Sequence, residues 1–238
     1  MDLWDATPEA FIEALHAHGA RRAYVVTQPN GQVEASHPWL ASLAAAISTA
    51  PDYSGHEGAF FEVGQESGHL LSAFVHRTRR GQGAGGVRFW TYDRFGALLT
   101  DGLRLSLAMG QKCALAGLWW GGGKGVIARR PGADHQDADL RAAIYRDYGR
   151  FLTGLHGCYV AAEDVSLPRC RVLAWLRFCR PDRRAPDGIV RADLEKQALS
   201  SRLMSKDAAS PMANPISVNG RRSPRQSGPI GSNGDQGC

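Results

Sequence analysis

The chain has 238 residues, 43% hydrophobic and 21% charged, with a formal net charge of +5, enough for one sizeable core or two small ones. Its acidic start, MDLWDATPEA, is unlike a signal peptide, and no apolar run approaches the roughly 20 residues that span a bilayer, so secretion and membrane insertion are not expected. Five cysteines without a CxxC pair argue against a disulfide framework or a zinc ribbon and for a reduced, cytoplasmic protein.

Thr7-Pro8-Glu9 reads as an N-cap, a first-turn proline and an acidic first turn, and Phe11, Ile12 and Leu15 predict a helix that Gly19 stops. Ala23 to Thr27 predicts a strand and Trp39 to Ile47 a second helix. Two β-rich runs, Ala59 to Val63 and Leu70 to His76, flank Gly64 to Gly68 as a hairpin. Val87 to Tyr92 predicts a strand after the glycine-rich Gly81 to Gly86. From Phe95 to Ala114 a helix places Leu98, Gly102, Leu105, Met109 and Lys112 within about 80° of one another, so Lys112 falls on its apolar stripe. A short strand at Val126 to Ala128 follows the glycines at 121–125, a helix spans Asp137 to Leu155, and Cys158 to Ala162 predicts a buried strand ending at Glu163-Asp164. Strands alternating with helices predict a layered α/β domain with a mostly parallel mixed sheet over residues 1–165.

Charge divides the chain. Residues 1–164 hold 15 Lys and Arg against 17 Asp and Glu, so the basic excess lies wholly in the tail. That tail, residues 166–238, is rich in Ser, Pro, Gly and Arg and poor in periodic apolar residues, which predicts disorder. Its aromatics are confined to Trp175 and Phe178 at its start, so it lacks stacking platforms, and nucleic-acid binding is not expected.

Several motifs fail on context. Gly81-Gln-Gly83-Ala-Gly85-Gly86 satisfies GxGxxG but leads into a strand, whereas a dinucleotide fingerprint opens a helix. The run Gly121-Gly-Gly-Lys124-Gly125 lacks the spacing and the Ser/Thr of a phosphate loop. The eight histidines form no HExxH, so no metal site is expected and solvated surface is their reading; Cys113 and Cys158 read as small core residues. What remains is Lys112 on an apolar stripe, Lys124 among glycines, and Asp164 at the end of an apolar strand. Glycines around Lys124 suggest that backbone passes close to something there. Two ammonium groups and a carboxylate converging on one cleft would suit a small anionic or zwitterionic substrate.

These residues lie in stretches that resemble the N-terminal, substrate-binding half of the glutamate/leucine/phenylalanine/valine dehydrogenase family. The stretches are Gly85-Gly86-Val87-Arg88-Phe89-Trp90-Thr91-Tyr92, Leu105 to Lys112, Ala116-Gly117-Leu118 through Lys124, and Tyr159 through Glu163-Asp164-Val165. The resemblance implies that Lys112 holds a substrate α-carboxylate, that Lys124 acts on the attacking water and the carbonyl oxygen, and that Asp164 shuttles protons at the substrate nitrogen. Gly85 and Gly86 with Met109 would line the pocket. It further implies an NAD-dependent oxidative deamination of an apolar L-amino acid, as in the leucine, valine and phenylalanine branch, and a homo-oligomer.

The resemblance ends at Val165, and the 74 residues after Asp164 offer no strand-GxGxxG-helix unit for the cofactor. Loss of similarity, reversal of charge and the rise of Arg, Ser and Pro coincide there, which reads as a frame shift near Ser166 and a truncated family member. The alternative is a non-catalytic amino-acid-binding or oligomerisation module.

Overall fold

Thr7 accepts the Ala10 N–H on its hydroxyl and starts α1 (Pro8–Ala17), whose Phe11 and Leu15 are fully buried, in a computed structural model that describes residues 2–162. In chain order there follow β1 (Arg22–Thr27), β2 (Val33–Ala35), a 3-10 turn (Pro38–Leu40), α2 (Ala41–Thr49), β3 (Gly58–Val63), β4 (Leu70–Arg77), β5 (Gly83–Trp90), α3 (Phe95–Leu115), β6 (Gly121–Ala128), α4 (Ala138–Gly154) and β7 (Tyr159–Ala162). Among the described residues no helix is long and apolar enough to cross a membrane.

The strands form one sheet in the order β2-β1-β3-β4-β6-β5-β7. The expected layered α/β domain with a mixed sheet is what forms, but its parallel part is confined to β6-β5-β7. The other four pairings are antiparallel. Short loops join the antiparallel neighbours β1–β2 and β3–β4, and the long crossovers through α3 and α4 bring the chain back parallel within β6-β5-β7.

Alternation along the strands divides the core into two layers. Phe74, Val126 and Ala128 face α1, α2 and the first half of α3, where Phe11 stacks on Phe95 at 4.1 Å and meets Phe61 edge-on at 5.5 Å. Leu71, Ala73, Val75, Val87, Phe89 and Ile127 face α4, packing on Ile144, Tyr148, Phe151 and Leu155. Helix α4 ties down the β3–β4 hairpin as well. Its buried Asp147 accepts the Glu66 N–H at 3.0 Å and, from Ser67, the N–H at 2.8 Å and the hydroxyl at 2.9 Å.

Two departures from the sequence reading matter. The glycines at 83–86 and 121–125 lie inside β5 and β6 rather than in loops before them. And two histidines are core residues, not solvated surface. His56 accepts the Ser54 N–H on Nδ1 and donates from Nε2 to the Leu103 carbonyl at 2.9 Å, and burial pushes its pKa down to about 4. His69 donates from Nδ1 to the Ser67 carbonyl at 3.0 Å and meets His135 Nε2 at 3.2 Å; burial again pushes its pKa down to about 4.

This carries a pH dependence. Unfolded histidines take up protons near pH 6.5, whereas these two do so only near pH 4, so between those values the unfolded state binds more protons. Stability is then lost as pH falls, by up to ~1.4 kcal/mol per pH unit for each histidine. Urea midpoints should drop steeply from pH 7 to pH 5, and His69→Gln should flatten that slope. An unchanged slope in the variant would show that His69 is protonated in the folded state.

Candidate functional site

Every residue of β6 is buried, although five of its first five positions hold only four glycines and a lysine. Alternation sets Gly122, Lys124 and Val126 toward α3, and Gly123, Gly125 and Ile127 toward α4. On the α3 side, a Cβ on Gly122 would run into the Ser106 carbonyl and come within 2.6 Å of the Gly110 nitrogen, so helix and strand meet backbone to backbone. On the α4 side, a Cβ on Gly123 would stand 2.5 Å from the Tyr159 ring, and one on Gly125 would strike the Tyr148 hydroxyl. The glycines thus let backbone and aromatic rings close in from both faces, as their sequence context suggested. Lys124 is the one long side chain among them and is only 6% exposed.

The Gly110–Gly122 contact places the two lysines. Lys112 lies two residues beyond Gly110 and Lys124 two residues beyond Gly122. Because α3 runs back against the direction of β6, the two Cα atoms move apart along the crossing, by roughly 3 Å on the helix and roughly 7 Å on the strand. Cα–Cβ bonds on a helix tilt toward its N-terminus, which leans Lys112 back toward the level of Lys124. The apolar stripe does not bury Lys112, however. Leu98 and Gly102 are buried, Leu105 and Met109 are half-buried and Lys112 is exposed, so the stripe leaves the core turn by turn and Lys112 stands at its open end. Burial along α3 is set by where the sheet ends, which no helical wheel records.

Beside this crossing, a Cβ on Gly85 would lie 3.3 Å from Met109 Cγ, which brings β5 and α3 together at two of the expected pocket residues. Gly86 pairs with Ala162 on β7, and the constant offset between β5 and β6 sets it level with Lys124. Further along β5, Arg88 donates to Asp101 of α3 at 2.6 Å, and Asp101 also accepts from Tyr92 and Arg104. Burial works against the Asp101 carboxylate, but the hydrogen bonds from Arg88 and Tyr92 hold its pKa below the usual range. Asp164 lies outside the described residues, as does the tail.

Sequence reasoning missed a neighbour of the site. His76 sits in the irregular stretch of β4 between Val75 and Arg77, its Nδ1 3.3 Å from where a Gly110 Cβ would be and its ring 4.9 Å from that of His56. Burial lowers its pKa. No local pattern marks it, because its partners come from α3 and from the loop before β3. Both described cysteines belong to the packing: Cys113 is buried, and burial pushes the Cys158 thiol up to about 12, far from a thiolate.

The GxGxxG run does not form a dinucleotide fingerprint. The one GxGxxG-like run lies within β5, and a Cβ on Gly85 would collide with the Gly123 carbonyl, so those glycines close onto the neighbouring strand instead of cradling a pyrophosphate at a helix start.

Residues 61–177 match the family described as Glu/Leu/Phe/Val dehydrogenase, dimerisation domain. The match runs past Val165, where the last quoted motif ends. A leucine dehydrogenase from Bacillus cereus is 41% identical over 110 residues, covering 46% of this chain and 29% of that enzyme. A valine dehydrogenase from Streptomyces albus is 38% identical over 129 residues, covering 54% of this chain and 34% of that enzyme. Among solved structures, L-tryptophan dehydrogenase from Nostoc punctiforme is similar at 34% identity and a TM-score of 0.42 over 48% of this chain and 32% of that one. The matched part of the chain thus spans about a third of the length of these relatives.

Proposed function

We propose, from the match of residues 61–177 to the Glu/Leu/Phe/Val dehydrogenase dimerisation domain, that this chain carries the substrate-binding part of an L-amino-acid dehydrogenase acting on an apolar amino acid. The reaction is reversible oxidative deamination to a 2-oxo acid and ammonia, with NAD as the hydride acceptor. The part of the reaction assigned to this domain is substrate binding and proton handling.

In this reading Lys112, exposed at the open end of its stripe, pairs with the substrate α-carboxylate. Lys124 directs its ammonium at the carbonyl oxygen and the attacking water from a buried position, where a charge acts with little screening. Asp164 takes and returns protons at the substrate nitrogen. Gly85, Gly86 and Met109 form the wall, the glycines leaving room for the substrate. A single observation carries the assignment: one buried lysine, level with Gly86, on the strand that α3 meets backbone to backbone beside Met109. The family's description as a dimerisation domain supports a homo-oligomer, which sedimentation equilibrium would test.

Titration of the full chain with L-leucine, D-leucine and isoamylamine, followed by NMR, tests the site. L-leucine should bind; the amine, which lacks the carboxylate, should not. Lys112→Ala should weaken binding by roughly 10- to 100-fold, the worth of a charge-assisted hydrogen bond of about 1.5–3 kcal/mol. Lys124→Ala should weaken it less, since Lys124 is assigned the chemistry. The reverse order would mean that the two roles are exchanged, and equal binding of the amine would remove the carboxylate site.

A further inference from the structure

Tyr159 opens β7 and is buried, and its ring passes on the α4 side of the sheet across β5 toward β6. Two observations fix that path: a Cβ on Gly123 would stand 2.5 Å from the ring, and one on Gly125 would stand 3.1 Å from the hydroxyl. The hydroxyl donates to the Gly85 carbonyl at 2.9 Å and lies 3.3 Å from the Gly86 carbonyl.

Those two carbonyls belong to the stretch of β5 that needs holding. The rungs between β5 and β6 run from Ala84↔Gly122 directly to Val87↔Gly125 and skip Gly85 and Gly86. On their other side the two glycines pair only with β7, the strand at the edge of the sheet. Glycine has no side chain to anchor it and the widest conformational freedom of any residue.

We propose that Tyr159 is a positioning residue for the amino-acid pocket: its hydroxyl fixes the Gly85–Gly86 backbone opposite Met109, so that the pocket wall is set before substrate arrives. The proposal rests on the reading of Gly85, Gly86 and Met109 as that wall. Tyr159 does not touch substrate, because it lies on the face of the sheet opposite α3.

Tyr148 is coupled to it: it reaches the same face from α4, and its hydroxyl bonds the Ser72 carbonyl on β4 and shares a hydrogen bond with Tyr159. Ile144 of α4 provides the comparison: it is buried on the same face and carries no polar group, so it supports the sheet without holding the wall.

The test measures L-leucine affinity by NMR titration, together with urea midpoints, on the full wild-type chain and on Tyr159→Phe and Ile144→Val. Loss of one neutral hydrogen bond at the wall should weaken binding about fivefold in Tyr159→Phe. The Gly85 and Gly86 amide resonances should shift and broaden in that variant. Ile144→Val should lower the midpoint by a comparable amount while leaving affinity at the wild-type value. Wild-type binding with undiminished affinity in Tyr159→Phe would overturn the positioning role alone. Equal loss of affinity in both variants would also overturn it, since sheet stability would then explain the effect. No binding by the wild type would overturn the reading of the site and this role with it.

Discussion

Gly122→Ala should lose about 3 kcal/mol of stability, at the upper end of what overpacking a core costs, while Gly110→Ala, on the other side of the same contact, should be nearly neutral. The asymmetry follows from what each new methyl meets. At Gly122 it would collide with the Ser106 carbonyl and stand 2.6 Å from the Gly110 nitrogen and 2.9 Å from its Cα, all backbone of α3. A helix anchored by Phe95, Leu98, Leu99 and Leu103 in the core cannot slide aside without opening those contacts. At Gly110 the nearest atoms are His76 Nδ1 at 3.3 Å and the Gly122 nitrogen and Cα at 3.4 Å, which a shift of a few tenths of an ångström relieves. Alanine also gains up to ~1 kcal/mol of helix propensity there, which offsets the crowding. Urea unfolding followed by circular dichroism separates the two. A Gly122→Ala midpoint equal to wild type would mean that α3 does not sit on β6 as described.

The same contact shows how far the sequence could be read. The helix of α3 was legible in its 3.6-residue period, and so was the angular place of Lys112. The glycine runs were read as loops because strand signals come from β-branched and aromatic side chains. Here the large groups belong to the partners: Tyr148 and Tyr159 fill the space over Gly125 and Gly123, and α3 fills it over Gly122. Strand character in β6 is therefore written 23 to 36 residues downstream, in the tyrosines that cover it. What survives in the local sequence is the lysine itself, a long charged side chain in a setting that otherwise excludes side chains. His56 and His76 left no such trace, because their burial depends on Leu103 and Gly110, far along the chain.

Asp147→Ala should be as damaging as the Gly122 change, with a loss of about 3 kcal/mol, and its damage should be local to one hairpin. The Asp147 side chain is 2% exposed and collects both the Glu66 and the Ser67 N–H groups with the Ser67 hydroxyl, and Arg150 lies 3.3 Å from its second oxygen. Deleting the carboxylate strands two backbone donors and a hydroxyl inside the protein, and each unsatisfied buried group costs about 1–3 kcal/mol unless water reaches it. Within the hairpin the Gly64 N–H donates to the His69 carbonyl and the Gly68 N–H to the Gly64 carbonyl, but neither bond takes up the Glu66 and Ser67 amides. The ion pairs of Glu66 with Arg146 and Arg150 lie at the surface and add little. Gly64 cannot be replaced to compensate, since a Cβ there would stand 2.5 Å from the same carboxylate and from the Ser67 hydroxyl. Asp147→Asn retains an acceptor for the loop but sets an amide against the Arg150 guanidinium, so it should fall between wild type and alanine. Hydrogen exchange distinguishes this from general unfolding: the amides of Glu66 and Ser67 should lose protection in Asp147→Ala while those of β6 keep theirs. Full protection at Ser67 in that variant would show that the hairpin is held by its own turn and not by α4.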